Sequence, residues 1–429
     1  MQDGLMQRRF PEPGSAVVVG AGMVGLATAW HLRRAGLDVT VVESDRVAAG
    51  SSWGNAGWLT PPITTPLPEP AILRTGLRAM LSVDSPLYVP LRPDVDLIRF
   101  LLGFLRHSTS RAWRRAMRAY VPLNSQALEA FDELADGGVD EPTRPGDPFL
   151  ACFAGADEHR LLMDEFAQIR AEGQPVAAEL IGGDKVRALA PAVSDRVVSA
   201  IRLEGTRFLH PPRYLASLAR AVRAAGVTIR EGVTATEVDG GTPTRPAAVR
   251  VREGEQEERL AADVVVLATG AWLGHLARPF GVRMVVQAGR GYSFTVPVDP
   301  MPTMPLYFPI QRVACTPLGD RYRVAGMMEF RRPDERLDPR RIQAIVRAAR
   351  PLLAGADLDD RQDEWVGSRP CTPDGLPLIG PTRSPRVVAA GGHGMWGITL
   401  GPLTGRLVAE LVTTGRTPDV LRPLDPLRR

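Results

Sequence analysis

Short continuous runs of apolar residues mark the first recognisable unit of the chain. Residues 16–20 form a valine-rich run, which is typical of a strand buried on both faces of a parallel sheet. Residues 23–35 contain good helix formers and precede Gly36, where a helix end favours a residue that adopts positive φ. Residues 39–43 form a second valine-rich run. The pattern therefore predicts a βαβ unit.

Similar buried runs recur in the middle and near the end of the chain. Residues 264–268 and 387–390 predict two further buried strands, and residues 397–411 predict the last helix. Residues 283–330 alternate apolar and polar positions, which favours an antiparallel sheet. We therefore predict an α/β fold: a parallel sheet with helices, plus an interleaved α+β domain with a mixed or antiparallel sheet. The expected bounds are 15–70, 205–282 and 338–429 for the first domain, 71–204 and 283–337 for the second, and 1–14 for an N-terminal tail.

A glycine motif stands between the first predicted strand and helix. Residues 20–25 read GxGxxG, and Glu43 ends the next strand 18 residues after the motif. Gly20 permits a tight turn, Gly22 lets a pyrophosphate approach the backbone, and Gly25 allows close packing of helix on strand. Glu43 has the position of a residue that accepts hydrogen bonds from a ribose. The parallel domain is therefore predicted to be of the Rossmann dinucleotide-binding type, without a choice between FAD and NAD.

A second GxGxxG match begins at Gly392 and ends at Gly397. Only 32 residues follow it, and none of them resembles a further strand ending in an acid. We interpret this turn as a helix N-terminus whose amides stabilise the electron-rich end of a ligand. A purely structural glycine turn is the alternative.

Composition excludes several classes of protein. The 429 residues, 44% hydrophobic and 23% charged, indicate a folded protein of two or three domains. The 52 basic residues are scattered among 48 acidic ones, so the footprint of a nucleic-acid binder is missing. Lys185 is the single lysine and lies in an ordinary polar run, which argues against pyridoxal chemistry. Three cysteines and six histidines show no metal-ligand spacing, so no metal site is expected.

Two observations bear on location. Residues 1–14 lack the apolar stretch of a signal peptide, so we expect a cytoplasmic protein, and no segment is apolar enough to span a bilayer. Residues 97–120 are apolar early and rich in arginine later. The favoured interpretation is a helix that packs its apolar stripe inside the protein; peripheral membrane contact is the alternative.

Three further segments occur in a fixed order after the glycine motif. They are GSSWGNAG at 50–57, ATGAW at 268–272, and WVGSRPCTPDGLPLIG at 365–380, followed by GGHGMWG. Together they resemble the FAD-dependent D-amino acid oxidase superfamily, most closely the bacterial D-amino acid dehydrogenases, with glycine oxidase as a relative. The resemblance implies FAD as cofactor. Gly367 stands where sarcosine oxidases have a flavin-linking cysteine, so noncovalent FAD is expected.

The resemblance also implies site residues. Arg369 matches the residue that binds the substrate carboxylate, a role suited to the planar fork of arginine, with an ordinary surface arginine as the alternative. Arg290 and Tyr292 match a family segment bordering the site, where they are expected to hold the carboxylate or the ring stack. His393 matches the segment that faces the flavin ring, with a packed histidine as the alternative. Tyr307, Phe308 and His210 are weaker candidates, favoured as pocket wall or core. The expected cofactor-binding residues are Gly20, Ala21, Gly22, Met23, Val24, Gly25, Glu43, Ser44, Ser51, Ser52, Asn55, Ala56, Gly57, Val233, Thr269, Gly270, Trp272, Arg369, Gly392, His393, Gly394, Met395 and Gly397.

The implied reaction is FAD-dependent oxidative deamination of a D-amino acid, a small-molecule substrate. Hydride passes from Cα to flavin N5, and the resulting imine hydrolyses to a 2-oxo acid and ammonia. Oxidation of secondary amines of the proline, sarcosine or glycine type is the alternative. The resemblance leaves oxygen, a quinone or a carrier protein open as electron acceptor. A nicotinamide-dependent dehydrogenase and a noncatalytic flavin-binding protein are the rival classes.

Overall fold

The computed structural model describes residues 13–70, 85, 87–90 and 93–428, so most of the expected tail lies outside the described residues. The valine-rich runs form adjacent strands of a mainly parallel sheet, as predicted. Val18 packs among the helices on one face, and Val17 packs with the small antiparallel sheet on the other, so the run is apolar at consecutive positions. In spatial order the strands are Thr228–Arg230, Asp38–Val42, Ser15–Val19, Val264–Leu267, Val387–Gly391 and the antiparallel Leu378–Pro381.

Two helices from opposite ends of the chain pack closely on this sheet. Met23–Arg34 and Gly397–Thr414 approach so tightly that a Cβ on Gly405 would lie 2.5 Å from the carbonyl carbon of Ala27. Pro211–Ala224 covers the same face, whereas the opposite face is covered by the small antiparallel sheet. The strands of that small sheet are Thr234–Asp239, Ala247–Glu253 and Gln256–Ala262.

A large mixed sheet forms the second layer of the molecule, and it confirms the antiparallel pattern expected for residues 283–330. Its strands, in spatial order, are Gln362–Cys371, Gln287–Val296, Arg321–Phe330, Val313–Leu318, Leu306–Phe308, Phe149–Phe153, Ser199–Leu203 and Ala178–Gly182, and Leu87–Tyr88 pairs with Arg321–Phe330. Short strands at Trp58–Leu59, Arg207–Phe208 and Arg144–Pro145 form a separate small sheet.

The segment 97–120 forms two helices rather than one. Val95–His107 buries Leu97, Phe100 and Phe104, and Ser110–Asn124 buries its own apolar face. This packing agrees with the favoured interpretation, although Val95, Ile98 and Leu102 remain exposed. In the ranges that the structure describes, no helix has the length and hydropathy required to cross a bilayer. The other helices are Glu129–Asp136, His159–Ala171, Gly183–Leu189, Leu273–Ala277 and Pro339–Ala349.

The expected domain boundary at residue 338 requires correction. The strand Gln362–Cys371, assigned from the sequence to the first domain, pairs with Gln287–Val296 in the large mixed sheet. The helix Pro339–Ala349 also packs beneath that sheet, where Ile345 lies in one cluster with Tyr292. A helix followed by a strand has the same local pattern in either domain. Sheet membership depends on long-range pairing, which the local pattern does not report.

Candidate active site

A cavity of about 680 Å³ opens at the carboxyl ends of the parallel strands. Gly20, Glu43 and Ala268 line it, and each directly follows a strand of that sheet. Residues 368–370 of the large mixed sheet also line the cavity. Crevices at the carboxyl ends of parallel strands are the usual ligand sites of such folds. The cavity therefore reaches from the dinucleotide-type sheet to the second layer.

The glycine motif has the geometry that its spacing predicts. Gly20 adopts a φ of 107°, and a Cβ on Gly25 would lie 1.8 Å from the Gly20 carbonyl oxygen. Glu43 Oε2 accepts a hydrogen bond from the Ala21 N–H at 2.8 Å, so its carboxylate is fixed beside the turn. Gly22 lines the cavity at the start of the following helix. This arrangement presents a helix N-terminus to the cavity, as a pyrophosphate requires.

The loop at residues 50–57 is held in place by the large mixed sheet. Arg323 Nη1 donates to the Trp53 carbonyl oxygen at 2.9 Å, and Ser293 Oγ donates to that of Gly54 at 2.8 Å. Burial lowers the pKa of Arg323 to about 10, but the guanidinium stays charged at neutral pH. Both hydrogen bonds are accepted by backbone carbonyl groups of the loop and donated by side chains of the large mixed sheet. The loop is thereby fixed along the cavity wall.

Thr269 lines the cavity and carries a hydroxyl group without a hydrogen-bond partner among the described residues. Its Oγ1 atom is buried. Buried hydroxyl groups are normally paired with a protein atom, a water or a ligand. The position of Thr269 therefore fits a bound molecule with polar atoms.

Arg369 stands at the end of the cavity formed by the large mixed sheet. Its Nη1 atom donates to the Met327 carbonyl oxygen at 2.9 Å, and burial lowers its pKa. Across residues 13–70, 85, 87–90 and 93–428, no carboxylate forms an ion pair with this guanidinium. Arg369 is half-buried, and a partly desolvated cation without an anionic partner favours an anionic ligand.

Arg290 and Tyr292 lie on the opposite face of the sheet, which corrects the expectation that they border the substrate. Neither residue lines the cavity. Arg290 Nη1 lies 3.3 Å from Glu329 Oε1, and the Tyr292 hydroxyl donates to the same carboxylate. Side chains alternate between faces along a strand, so residues 290 and 292 point away from the face on which Arg369 lies.

His393 lines the cavity, and its ring is anchored away from it. Its Nε2 atom lies 2.9 Å from Thr404 Oγ1, and that hydroxyl donates its proton to the Leu400 carbonyl oxygen at 2.8 Å. The imidazole must therefore be the donor, which places its proton on Nε2. Burial lowers the pKa of His393 to about 4, so the ring is neutral at neutral pH. This environment matches the packed-histidine alternative.

The three weaker candidates are absent from the cavity wall. His210 precedes the helix Pro211–Ala224, where its Nδ1 accepts a hydrogen bond from the Arg213 N–H at 3.4 Å. Tyr307 packs edge-on against Trp58, with ring centroids 5.3 Å apart, and Phe308 is fully buried in the core. All three therefore contribute to capping or packing of the fold, which agrees with the core interpretation favoured from the sequence.

The structure brings most of the expected cofactor residues together. Those that line the cavity are Gly20, Gly22, Met23, Val24, Glu43, Ser44, Ser51, Ser52, Asn55, Val233, Thr269, Gly270, Trp272, Arg369, His393, Gly394, Met395 and Gly397. Those that do not line it are Ala21, Gly25, Ala56, Gly57 and Gly392. The residues that do not line the cavity are close neighbours in sequence of residues that do.

Several other residues of the cavity wall were not predicted from the sequence. Thr234, Thr236 and Arg252 line it from the small antiparallel sheet. The alternation of the two threonines could have indicated a shared face next to Val233. Arg252 pairs with Thr234 across the sheet, a long-range contact without a local signal. Asp334 lines the cavity from a loop of the second layer.

Comparisons with known proteins agree with this geometry. The sequence model of a family described as FAD-dependent oxidoreductases, DAO, matches residues 15–411. The chain belongs to this family. It is 32% identical over 414 residues to a D-amino acid dehydrogenase of Cereibacter sphaeroides, covering 94% of this chain and 92% of the relative. It is 31% identical over 411 residues to a D-amino acid dehydrogenase of Methylobacterium radiotolerans, covering 94% and 96%. The fold is shared with glycine oxidase from Geobacillus kaustophilus, with a TM-score of 0.71, 22% identity, and coverage of 97% and 99%.

Membership of the FAD-dependent oxidoreductases confirms FAD as the cofactor and sets aside the nicotinamide alternative. The cavity fits FAD by its chemistry. It presents a helix N-terminus for a pyrophosphate at Gly22 and a carboxylate for a ribose at Glu43, and the buried hydroxyl of Thr269 beside it has no partner in the described residues. The enzyme is an oxidoreductase, and Arg369 places a guanidinium in the wall of its cavity.

Proposed function

We propose that the enzyme oxidises D-amino acids and binds their carboxylate at Arg369. The supporting observation is the half-buried guanidinium in the cavity wall, which donates from Nη1 to a backbone carbonyl oxygen. The remaining N–H groups match the planar, bidentate geometry of a carboxylate. The relatives named D-amino acid dehydrogenases support this choice of substrate class.

The chemistry divides between the cofactor and the chain. Bound FAD supplies the hydride acceptor. The chain orients the substrate, because a carboxylate fixed on Arg369 limits the directions that Cα–H can take. The substrate must react with a neutral amine, whose lone pair assists loss of hydride and leaves a protonated imine. The imine takes up water to give a 2-oxo acid and ammonia.

His393 is not needed as a base in this scheme. Its Nε2 proton is already donated to Thr404, and burial keeps the pKa of the ring at about 4. Its contribution is to hold the turn that lines the cavity. Removal of its hydrogen bond is expected to act on the position of that turn rather than on a proton-transfer step.

An anaerobic bleaching screen tests the substrate class. The holoenzyme is mixed without oxygen with D-amino acids, their L-enantiomers and N-alkyl glycines, and the flavin absorbance is followed. Bleaching by D-amino acids in preference to the other two groups is expected. Faster bleaching by N-alkyl glycines would replace the proposal with secondary-amine oxidation, and no bleaching by any amine would favour a noncatalytic flavoprotein.

The role of Arg369 has a separate test. Arg369→Ala should raise KM about a hundredfold, because one buried charge-assisted pair with a carboxylate is lost. Arg369→Lys should recover only part of this loss, since an ammonium does not reproduce the planar fork. Arg350→Ala is the matched control, because Arg350 is exposed and pairs with Asp359. An unchanged KM in Arg369→Ala that retains FAD would remove Arg369 from the role.

A further inference from the structure

A β-bulge in the large mixed sheet lies next to the guanidinium of Arg369. The strands Gln287–Val296 and Arg321–Phe330 pair Arg290 with Glu329 and Tyr292 with Gly326. Gly291 therefore faces both Met327 and Met328, which is one residue more than a regular ladder allows. Met327 adopts a φ of 61°, an uncommon conformation for a residue with a side chain. The extra residue turns the Met327 carbonyl toward Arg369.

Two arginines on opposite faces of the sheet hold the two carbonyl groups of the bulge. Arg369 Nη1 donates to the Met327 carbonyl oxygen at 2.9 Å. Arg341 Nη2, from the helix Pro339–Ala349, donates to that of Met328 at 3.3 Å. A non-glycine residue at positive φ persists only where its surroundings over-determine it, and these two bonds supply part of that constraint.

The residue after the bulge, Glu329, is fully buried at 0% exposure. Its carboxylate accepts the Tyr292 hydroxyl and lies 3.3 Å from Arg290 Nη1 and 3.2 Å from Arg331 Nε. Arg341 Nε lies 3.8 Å from the same carboxylate. We call these five residues the Glu329 cluster. Its members face away from the cavity, so none of them contacts the substrate position directly.

We propose that Glu329 is a positioning residue for substrate binding, an inference that rests on the proposed role of Arg369. The Glu329 cluster fixes the strand immediately after the bulge. The bulge fixes the Met327 carbonyl, and that carbonyl holds Nη1 of Arg369. The guanidinium is thereby kept at one angle, with its other donors free for a carboxylate. This explains why a dense, buried ionic network lies directly behind a binding site that it does not touch.

The network is an expensive arrangement for stability alone. Ion pairs that are fully buried often stabilise a fold no more than well-packed apolar residues of similar volume. Positioning supplies a reason for its presence, since a rigid second layer of contacts is what holds a binding group to a narrow range of geometries. The position of Arg290 and Tyr292, expected from sequence near the substrate, has the same explanation: they act from behind it.

The test compares Glu329→Gln and Tyr292→Phe with wild type as FAD-loaded holoenzymes. Three quantities are measured: KM and kcat for a D-amino acid, and the Kd of benzoate, a carboxylate without an amine, from the flavin difference spectrum. Glu329→Gln should raise KM and the benzoate Kd by a similar factor of about ten, while kcat at saturation changes less than about threefold. Tyr292→Phe should show the same pattern more weakly and keeps the buried charge balance intact if Glu329→Gln fails to fold. Asp359→Asn, at an exposed ion pair, is the control.

Coupling through Arg369 separates positioning from general destabilisation. In an Arg369→Lys background, Glu329→Gln should add little further increase in the benzoate Kd, because the group it positions is already gone. Additive effects would overturn the proposal, and so would an unchanged benzoate Kd in folded, FAD-loaded Glu329→Gln and Tyr292→Phe. If Arg369→Lys itself leaves benzoate binding unchanged, the proposed function fails instead, so the two failures are distinguishable.

Discussion

The guanidinium carbon of Arg369 occupies the space where a side chain on Gly291 would begin. A Cβ added to Gly291 would lie 2.2 Å from Arg369 Cζ, far inside van der Waals contact. Gly291 lies on the neighbouring strand, paired with Gly367. The absence of a side chain at residue 291 is therefore a condition for the observed position of Arg369.

Gly291→Ala should displace Arg369 and weaken substrate binding without removing the cation. We expect KM to rise by about tenfold or more, since displacements of about 1 Å at a binding group cost this much or more. FAD content should remain near that of wild type. Gly274→Ala is the matched control, because a Cβ there meets no atom within 4 Å. A normal KM in Gly291→Ala would show that the site tolerates another position of Arg369.

Gly22→Ala should act at the other end of the cavity. A Cβ on Gly22 would lie 3.3 Å from Ser52 Oγ, and the methyl group would enter the space where the backbone meets a pyrophosphate. We expect the Kd for FAD to rise about tenfold, which corresponds to about 1.4 kcal/mol. Titration of the apoenzyme with FAD, followed by flavin fluorescence, measures this change. Equal affinity in Gly22→Ala and wild type would contradict the expected pyrophosphate position.

The dinucleotide part of the site could be predicted because its geometry is local. Gly20, Gly22 and Gly25 act within one strand–turn–helix unit, and Glu43 follows the next strand. Neighbouring parallel strands bring such ends together without any information about distant pairing. The spacing along the chain therefore specifies both the turn and the acid beside it.

The substrate part could be predicted only in outline. Arg369 was found through a motif, but the sequence does not reveal that Arg290 and Tyr292 lie on the other face of the sheet. Their face depends on the register with Gln362–Cys371 and on the bulge at Met327. A change of one residue in register moves every side chain to the opposite face. Long-range pairing of this kind leaves no trace in local periodicity.

A hydrogen bond across the cavity predicts an effect on cofactor exchange. Trp272 Nε1 donates to Asp334 Oδ1 at 3.0 Å, which joins a loop of the first sheet to a loop of the second layer. Both residues line the cavity, and Trp272 is 41% exposed. Trp272→Phe keeps an aromatic ring but removes the hydrogen-bond donor. Because the hydrogen bond would hold the two loops together over the cavity, FAD should dissociate about fivefold faster from this variant. This factor corresponds to the loss of about 1 kcal/mol, the contribution of one hydrogen bond. Asp334→Asn retains an acceptor oxygen and should change the rate less. Stopped-flow release of FAD into an excess of an FAD-binding apoprotein, which traps the free cofactor, measures both rates. Equal rates in wild type and Trp272→Phe would exclude a restraining role.

Burial of His393 predicts a specific dependence of stability on pH. Its pKa falls from an ordinary 6.5 to about 4 in the folded protein because burial disfavours the charged ring. The unfolded chain therefore binds more protons between these values, and the folded state loses stability as pH falls from above 6.5 toward 4. Between pH 7.5 and pH 5 this residue should account for a loss of about 2 kcal/mol in the free energy of unfolding.

His393→Gln keeps a polar side chain for Thr404 and removes the titration, so its free energy of unfolding should fall by about 2 kcal/mol less than that of wild type over the same pH interval. Urea unfolding of the holoenzyme at the two pH values measures the difference, and His31 and His210, whose pKa values burial also lowers, are unchanged in both proteins. Identical pH dependence in His393→Gln and wild type would mean that the ring takes up its proton as readily in the folded protein as in the unfolded chain, which would contradict the effect of its burial.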